Sequence, residues 1–277
     1  MPTLFNIEQA SCSVIYQVVN VLSANERRDF IYRHIHENQV AYYDELAALM
    51  NVSHMTIRRD ASQLEREGKV LRVNGGVRLS AFLHQELPWQ EKSYLNHKIK
   101  KELGQCAMRR ITEGTIIYLD AGTTTFEIAC CIPANFRLTV VTNDFSITQL
   151  LMNNPAIDLF HVGGRVDKRN YSCVGLSAAN FIKALNIDLA FLSTSSWDLK
   201  HGISTPYEGK AEVKQTIISV ANRSILISDS SKYGKYGFYS VCPLNTVDEI
   251  ITDAISKECK QALSDLTSPK VTFIDIL

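Results

Sequence analysis

Two amphipathic stretches joined by only two residues constrain the first third of the chain most strongly. The stretch YDELAALM (43–50) is separated by Asn51-Val52 from a second stretch that begins after Ser53. Ser53 is a favoured N-cap and Gly68 is placed for a left-handed C-cap, which predicts a helix of roughly four turns between them. Two helices with such a short connection are typical of a helix-turn-helix.

The second helix places two arginines on its outer face. At about 100° per residue, Ile57, Ala61 and Leu64 share the core side, so Arg58 and Arg59 point away from it. The planar guanidinium of arginine can form two hydrogen bonds with a phosphate or with the edge of guanine. A DNA-binding surface is therefore the first hypothesis, and an ordinary solvated helix face is the alternative.

The flanking segments favour the DNA-binding hypothesis. Upstream, Ser23–Glu26 has the spacing of a capping box and predicts an earlier helix. Downstream, KVLRV and GVRL flank the turn dipeptide Asn74-Gly75, which predicts a hairpin. Three helices and a hairpin make a winged helix-turn-helix, with Arg72 and Arg78 on the wing. The residues predicted to contact DNA are Ser53, His54, Thr56, Arg58, Arg59, Ser62, Gln63 and Arg72.

From Lys98 onward, helical segments alternate with short apolar runs such as TIIYL, LTVVT, IDLAFLS and SILIS. This alternation predicts a mainly parallel sheet covered on both faces. Such sheets bind ligands at the carboxyl ends of their strands. The sequence contains no G-x-G-x-x-G and no Walker lysine motif, and its His and Cys spacing matches no zinc site, so no nucleotide cofactor and no metal are predicted.

Polar segments follow four of the predicted strands: Asp120–Thr125 (DAGTTT), Thr142–Asp144, Gly163–Arg165 and Asp229–Lys232. Glycines, hydroxyl groups and the amides of a helix N-terminus favour an anion such as phosphate. Four such segments at one edge of a sheet predict a shared pocket. The alternative is that they are only turns and helix caps.

The T-I-R-R-D run, followed by L-E-x-x-G and a wing ending in G-G, resembles the DNA-binding domain of the DeoR family of bacterial transcriptional regulators. The segments D-A-G-T-T-T, V-V-T-N, A-E-V-K and S-D-S-S-K-Y-G resemble that family's effector-sensing domain, whose α/β fold is similar to ribose-phosphate isomerase and CoA-transferases. A departure from the family pattern at 193–198 places Trp197 where it is expected to narrow or reshape the pocket. The resemblance implies an effector pocket lined by Asp120, Gly122, Thr123, Thr124, Thr125, Asn143, Lys214, Asp229, Lys232 and Lys100.

The resemblance further implies a repressor of a carbohydrate-metabolism operon that binds a double-stranded DNA operator as a homo-oligomer, either a dimer or a tetramer. A phosphorylated sugar or related metabolite would relieve repression. Two alternatives stay open at this point. One is an isomerase-like or deaminase-like enzyme fused to a winged helix, and the other is a winged helix that binds protein instead of DNA.

These patterns divide the chain into an N-terminal extension (1–22), a winged helix-turn-helix (23–80), a linker (81–97) and an effector-sensing domain (98–277). Lysine plus arginine equals aspartate plus glutamate, 29 of each, so any attraction to DNA must come from local patches of charge. Seven cysteines without a C-x-x-C pair predict reduced thiols in a cytoplasmic protein. No run approaches about 18 uninterrupted apolar residues, so no membrane span is predicted.

Overall fold

The structure is a computed structural model that describes residues 23–38, 40–67, 69–253, 257–264 and 268–274. The predicted N-terminal extension 1–22 and the predicted C-cap at Gly68 lie outside these residues. The chain forms two compact units, one ending at Ala81 and the other beginning at Phe82.

The smaller unit is a winged helix-turn-helix. Its elements are α1 Ala24–Asn38, β1 Val40–Tyr42, α2 Tyr43–Met50, α3 His54–Arg66, β2 Val70–Val73 and β3 Gly76–Leu79. Three described strands form an antiparallel sheet in the order β1-β3-β2, so the predicted hairpin is present and the unpredicted short strand β1 extends it. The core contains Ile31, Leu46, Ile57, Leu64 and Val77, all of them buried.

Local capping explains where helices α2 and α3 end and begin. Asn51 terminates α2 in the left-handed conformation, with φ 49°, a conformation that asparagine adopts more readily than most residues. Ser53 starts α3, because its hydroxyl accepts a hydrogen bond from the backbone N–H of Thr56 at 3.2 Å. The buried carboxylate of Asp60 then ties α3 to α1 by accepting a hydrogen bond from Nε of Arg27 at 2.8 Å. These contacts hold the outer face of α3 in a fixed orientation.

The larger unit contains the α/β sheet. Its elements are β4 Phe82–Leu83, α4 Trp89–Tyr94, α5 His97–Met108, β5 Ile116–Leu119, α6 Thr123–Cys130, β6 Leu138–Thr142, α7 Phe145–Leu151, β7 Ile157–His161, β8 Arg165–Asp167, β9 Ser172–Val174, α8 Leu176–Lys183, β10 Ile187–Leu192, β11 Ser196–Asp198, β12 Gly202–Thr205, α9 Glu208–Val220, β13 Ala221–Ile227, β14 Tyr236–Gly237, β15 Tyr239–Cys242, β16 Glu249–Asp253, α10 Lys257–Ser264 and β17 Lys270–Ile274.

Within the described residues, seven strands pair in parallel in the order β17-β16-β13-β10-β5-β6-β7. Successive residues of β5 face opposite sides, so Tyr118 packs into one core cluster while Ile117 and Leu119 pack into the other. Residues of α8 and α9 contribute to the first cluster, and residues of α5, α6 and α7 contribute to the second. The predicted parallel sheet with helices on both faces is confirmed.

The segment predicted as a linker, 81–97, is structured and belongs almost entirely to the larger unit. Strand β4 pairs with β14, and the ring of Trp89 packs edge-on against that of Phe126 at 5.7 Å between centroids. The unit boundary therefore lies near Ala81 rather than near Asn96. We call residues 82–96 the strap, because its side chains contact several loops at the carboxyl ends of the sheet strands.

None of the described helices combines the length and the apolar character that crossing a membrane requires.

Candidate DNA interface and effector site

The outer face of α3 exposes both arginines of the T-I-R-R-D run. Arg58 lies over the ring of Tyr43, with 5.6 Å between the guanidinium carbon and the ring centroid. Arg59 is exposed and has no hydrogen bond or ion pair with any residue that the structure describes. Because Ile57 and Leu64 are fully buried on the opposite side, the helix presents these two cations to the solvent.

Ser53, Thr56 and His54 cluster at the N-terminus of α3. The hydroxyl groups of Ser53 and Thr56 lie 2.9 Å apart, and His54 packs edge-on against the ring of Tyr43 at 5.4 Å. The three side chains remain exposed or half-buried. They therefore stand beside the backbone amides of a helix N-terminus, where a phosphate is readily bound.

Other predicted DNA contacts already have partners within the unit. Gln63 donates to Glu67 at 3.0 Å, and the Ser62 hydroxyl donates to a carbonyl of the preceding turn at 2.8 Å. Arg72 forms an ion pair with Glu65, with 2.6 Å between Nε and Oε2. The ion pair with Glu65 offsets part of the positive charge that Arg72 offers to a phosphate. Arg78, also on the wing, is exposed and has no such partner among the described residues.

In the larger unit, the strand order reverses between β5 and β10, and we call the region outside the carboxyl ends of these two strands the crevice. The chain runs from β5 to β6 and β7 in one direction, and then returns to place β10 on the other side of β5. Open parallel sheets bind ligands where the strand order reverses in this way. Asp120 follows β5 and Ser193 follows β10, so both residues lie at this point of reversal.

A buried ion pair occupies the crevice. Oδ2 of Asp120 accepts hydrogen bonds from Lys214 Nζ, from the Ser193 backbone N–H at 3.0 Å and from the Ser193 hydroxyl at 3.2 Å. Lys214, on α9, also donates to the Ser193 carbonyl at 2.7 Å. Gly122 is required beside them, because a Cβ at that position would lie 2.5 Å from Oγ of Ser193. Asp120, Gly122 and Lys214 are thus brought together.

Asn143 is held in the turn after β6 by its own hydrogen bonds. Its side-chain oxygen accepts from the backbone N–H of Ala121 at 3.0 Å and from Tyr118 at 3.1 Å, while its amide donates to the carbonyl of Cys173 at 2.9 Å. The neighbouring Asp144 accepts from the backbone N–H of Gly122 at 3.1 Å, and burial raises its pKa to about 6. Asn143 therefore shapes the turn around Asp120.

Three threonines, Thr123, Thr124 and Thr125, form the first turn of α6 and are buried. The hydroxyl of Thr125 donates to the carbonyls of Asp120 at 2.5 Å and of Gly122 at 2.9 Å. This hydroxyl is occupied within its own turn, so Thr125 stabilises the loop instead of presenting a donor to the crevice.

Asp229, Lys232 and Lys100 form a second group. Oδ1 of Asp229 accepts a hydrogen bond from the amide of Asn96 in the strap at 2.9 Å. Burial opposes ionisation of Asp229, but the charge of Lys232, hydrogen bonds from Ser231 and Asn96 and the charge of Lys100 together lower its pKa to about 2. Burial lowers the pKa of Lys100 to about 8, against the attraction of Asp229.

The remaining predicted polar segment, Gly163–Arg165, lies after the edge strand β7 and is exposed. Among the described residues, no side-chain hydrogen bond or ion pair joins it to the groups around Asp120 and Asp229.

Sequence reasoning missed a third group, centred on Glu86 of the strap. Its carboxylate accepts hydrogen bonds from Lys210 at 2.7 Å, Lys92 at 3.2 Å, Ser195 at 3.1 Å and Thr205 at 3.4 Å. Burial opposes ionisation of Glu86, yet the charges of Lys210 and Lys92 hold its pKa far below the usual range. The spacing of Lys210 four residues before Lys214 could have indicated that both lysines share one face of α9. No sequence signal marks Glu86.

Lys235 was also missed. Only 8% of the residue is exposed, and its ammonium group has no hydrogen bond or ion pair with any described residue. Burial, reinforced by the charge of Lys232, lowers its pKa to about 7.

The expectation that Trp197 narrows the pocket is wrong. The side chain is completely buried in the core, where its indole N–H donates to the Ser228 hydroxyl at 3.1 Å and its ring packs against Tyr233 at 4.9 Å. Its large apolar surface and its single donor are both satisfied there, so it does not face the crevice.

Comparison with known families matches both units. A model of the DeoR-like helix-turn-helix domain matches residues 27–81, and a model of the DeoR C terminal sensor domain matches residues 95–254. The chain belongs to the DeoR family of transcriptional regulators. The family and fold class predicted from the sequence are thereby confirmed.

Individual relatives agree with this assignment. An "Uncharacterized HTH-type transcriptional regulator" of Haemophilus influenzae is 44% identical over 237 residues, which cover 86% of this chain and 92% of the relative. A "Putative aga operon transcriptional repressor" of Escherichia coli O157:H7 is 30% identical, with coverage of 84% and 87%. The "HTH-type transcriptional regulator GlpR" of Haloferax volcanii is 29% identical, with coverage of 90% and 97%.

Among solved structures, ribose 5-phosphate isomerase A from Methanocaldococcus jannaschii is similar to 50% of this chain and 55% of its own, with 16% identity and a TM-score of 0.37. The full-length relatives are named as regulators of transcription. This DeoR-family protein is accordingly a DNA-binding regulator of transcription.

Proposed function

We propose that this DeoR-family regulator represses a carbohydrate-metabolism operon and that a phosphorylated sugar or related metabolite relieves the repression. Several relatives are named as repressors, among them the putative aga operon repressor and a GlcR repressor of Bacillus subtilis. The effector binds in the crevice between β5 and β10, and the operator is bound by α3.

One observation carries the proposal for an anionic effector. Three lysines at the carboxyl ends of the strands, Lys100, Lys232 and Lys235, form no ion pair with any residue that the structure describes. Lys100 and Lys235 are both buried, with 2% and 8% of the residue exposed, and Nζ of Lys100 donates a hydrogen bond to the uncharged carbonyl of Lys92. Buried ammonium groups are normally paired with an anion, since leaving them unpaired is costly. A phosphorylated sugar brings compensating negative charge into this region, and its hydroxyl groups match the polar side chains around Asp120.

On the DNA side, we propose that two or more subunits place their α3 helices in successive major grooves of the operator. Arg58 and Arg59 contact bases or phosphates, with Ser53, His54, Thr56, Ser62 and Gln63 beside them, and the wing arginines contact flanking phosphates. Effector binding changes the spacing of the recognition helices and so weakens binding to the operator.

The DNA interface is tested with the double substitution Arg58→Ala and Arg59→Ala. Operator binding in a gel-shift assay should be lost, while the thermal stabilisation by the effector should be unchanged. Arg33→Ala, which removes an exposed arginine from α1, is the matched control and should bind DNA normally. If the double variant still binds DNA, α3 is not the recognition helix.

The effector class is tested by a thermal-shift screen of sugar phosphates beside the corresponding unphosphorylated sugars. Phosphorylated compounds alone should stabilise the protein, and the stabilising compound should release it from DNA. Asp120→Asn should keep DNA binding but lose the response. DNA affinity that falls steeply with salt would indicate phosphate contacts, whereas no DNA affinity at low salt would favour a winged helix that binds protein.

A further inference from the structure

The strap inserts a carboxylate into the larger unit beside the effector crevice. Glu86 is 7% exposed, and its two carboxylate oxygens divide their contacts between cations and hydroxyl groups. Oε2 accepts from Lys210 at 2.7 Å and Lys92 at 3.2 Å, and Oε1 accepts from Ser195 at 3.1 Å and Thr205 at 3.4 Å. We call these four donor residues, Lys92, Lys210, Ser195 and Thr205, the anion cradle.

The donors of the anion cradle are held by contacts other than those with Glu86. Nζ of Lys92 donates to Asn170 at 2.5 Å, and Nζ of Lys210 lies 3.5 Å from a carboxylate oxygen of Asp167. Two of the donors, Ser195 and Thr205, belong to the sheet framework near β11 and β12. The cradle would therefore keep its geometry if the Glu86 carboxylate left it, and two ammonium groups with two hydroxyl groups are suitable donors for any oxyanion.

The cradle is electrostatically continuous with the effector crevice. The charge of Lys214, the partner of Asp120, contributes to the low pKa of Glu86, and the charge of Lys232 contributes to the lowered pKa of Lys92. An anion bound near Asp120 and Lys232 thus interacts with the same lysines that hold Glu86.

The strap is held by the pairing of β4 with β14 and the packing of Trp89 against Phe126, and also by polar contacts that a ligand can exchange. The backbone carbonyl of Glu86 accepts from Arg169 at 3.3 Å, the Trp89 N–H donates to the Arg169 carbonyl at 2.8 Å, and Asn96 donates to Asp229 at 2.9 Å. Helix α4 has six residues and buries none of them. The winged helix-turn-helix ends at Ala81, so a displacement of the strap acts on the chain immediately adjoining the DNA-binding unit.

We propose that Glu86 is an internal anionic occupant of a phosphoryl-binding subsite formed by Lys92, Lys210, Ser195 and Thr205. This inference rests on the proposed function. The effector's phosphoryl group takes the place of the Glu86 carboxylate and releases residues 82–88 of the strap, while Lys92 on α4 stays in the cradle. A dianionic phosphoryl group competes well with a monoanionic carboxylate for two ammonium groups. The strap contacts stabilise the DNA-binding state, and the effector favours the released state, which provides the differential affinity that a ligand switch requires.

The decisive variant is Glu86→Gln, which keeps the shape of the side chain and removes its charge. Binding of inorganic phosphate, measured by calorimetry on the full chain, should be at least tenfold tighter than in the unsubstituted protein. Operator affinity without effector should fall. Glu91→Gln is the matched control, since Glu91 lies on the same strap but is exposed, and it should behave as the unsubstituted protein. Unchanged or weaker phosphate binding by Glu86→Gln would overturn the inference.

Lys210→Met gives an independent second variant and should weaken phosphate binding at least tenfold. Hydrogen exchange on the unsubstituted chain does not depend on how any variant folds. Saturating phosphate should speed exchange of the backbone amides of residues 82–87, and unchanged or slower exchange there would contradict their release.

The outcomes also separate this inference from the proposed function. If sugar phosphates release the protein from DNA but Glu86→Gln binds phosphate no more tightly, only the strap mechanism fails. If no phosphorylated sugar binds the unsubstituted protein, the proposed function itself fails.

Discussion

Replacing Lys214 with methionine is the sharpest test of how the effector crevice is held together. The substitution keeps the length and the apolar stem of the side chain but removes the ammonium group. Asp120 is then left 2% exposed with only the two hydrogen bonds from Ser193, at 3.0 and 3.2 Å. Removing one partner of a buried ion pair typically costs about 3–5 kcal/mol, because the remaining charge is stranded.

In the full chain, tryptophan fluorescence measures this cost for the larger unit separately from the smaller one. Both tryptophans of the chain, Trp89 and Trp197, lie after residue 82, so their fluorescence reports unfolding of that unit. With a urea m-value of roughly 2–3 kcal/mol/M for a unit of this size, the midpoint of unfolding should fall by about 1–2.5 M. Lys183→Met removes an exposed lysine from α8 and should leave the midpoint unchanged.

A double-substitution cycle identifies the partner. Asp120→Asn removes the stranded charge, so the double variant with Lys214→Met should be more stable than the sum of the single effects predicts, by about 2 kcal/mol or more. A fall in the urea midpoint of less than about 0.3 M for Lys214→Met, or single effects that add, would refute the buried pair.

Three other outcomes are expected. Asp60→Asn should destabilise the smaller unit by about 3 kcal/mol, because the ion pair of Arg27 with this buried carboxylate at 2.8 Å is lost. Hydrogen exchange in α3 should be faster, and exchange equal to that of the unsubstituted protein would contradict this. Lys235→Met should raise the free energy of unfolding at pH 7. The pKa of Lys235 is about 7 in the folded state and 10.5 in the unfolded state, so the unfolded state binds more protons between these pH values. The stability advantage of the methionine variant should therefore shrink from pH 7 to 9, by up to about 1.4 kcal/mol per pH unit. A stability advantage that grows with pH would contradict this prediction. Arg72→Ala should weaken DNA binding less than Arg59→Ala in a gel-shift titration, since only Arg72 is already paired; the reverse order would assign the main contact to the wing.

The smaller unit was predictable because its signals are local. The cap at Ser53, the short connection Asn51-Val52 and the Asn74-Gly75 turn each act within a few residues of the chain. Strand β1 was missed because it has only three residues, too few for a period-two pattern to be recognised.

The larger unit was predictable as a fold and only partly as a site. Apolar runs mark its strands, and the strand order brings Asp120 beside Ser193, which sequence reasoning did not place in the site. Lys214 was predicted through the family resemblance. Glu86 and Lys210 lie 124 positions apart, and neither belongs to a local motif that would indicate the contact. Trp197 was misplaced because bulk alone does not indicate whether a side chain faces a pocket or the core.

The central claim is that this protein binds DNA through α3 and releases it when a phosphorylated sugar binds. The most direct measurement is a fluorescence-anisotropy titration of the full chain against duplexes selected for binding, with and without each sugar phosphate that raises its thermal stability. We predict salt-dependent binding that one such compound weakens at least tenfold and that its unphosphorylated sugar does not affect. Absence of DNA binding at low salt, or binding that every stabilising sugar phosphate leaves unchanged, would contradict the account.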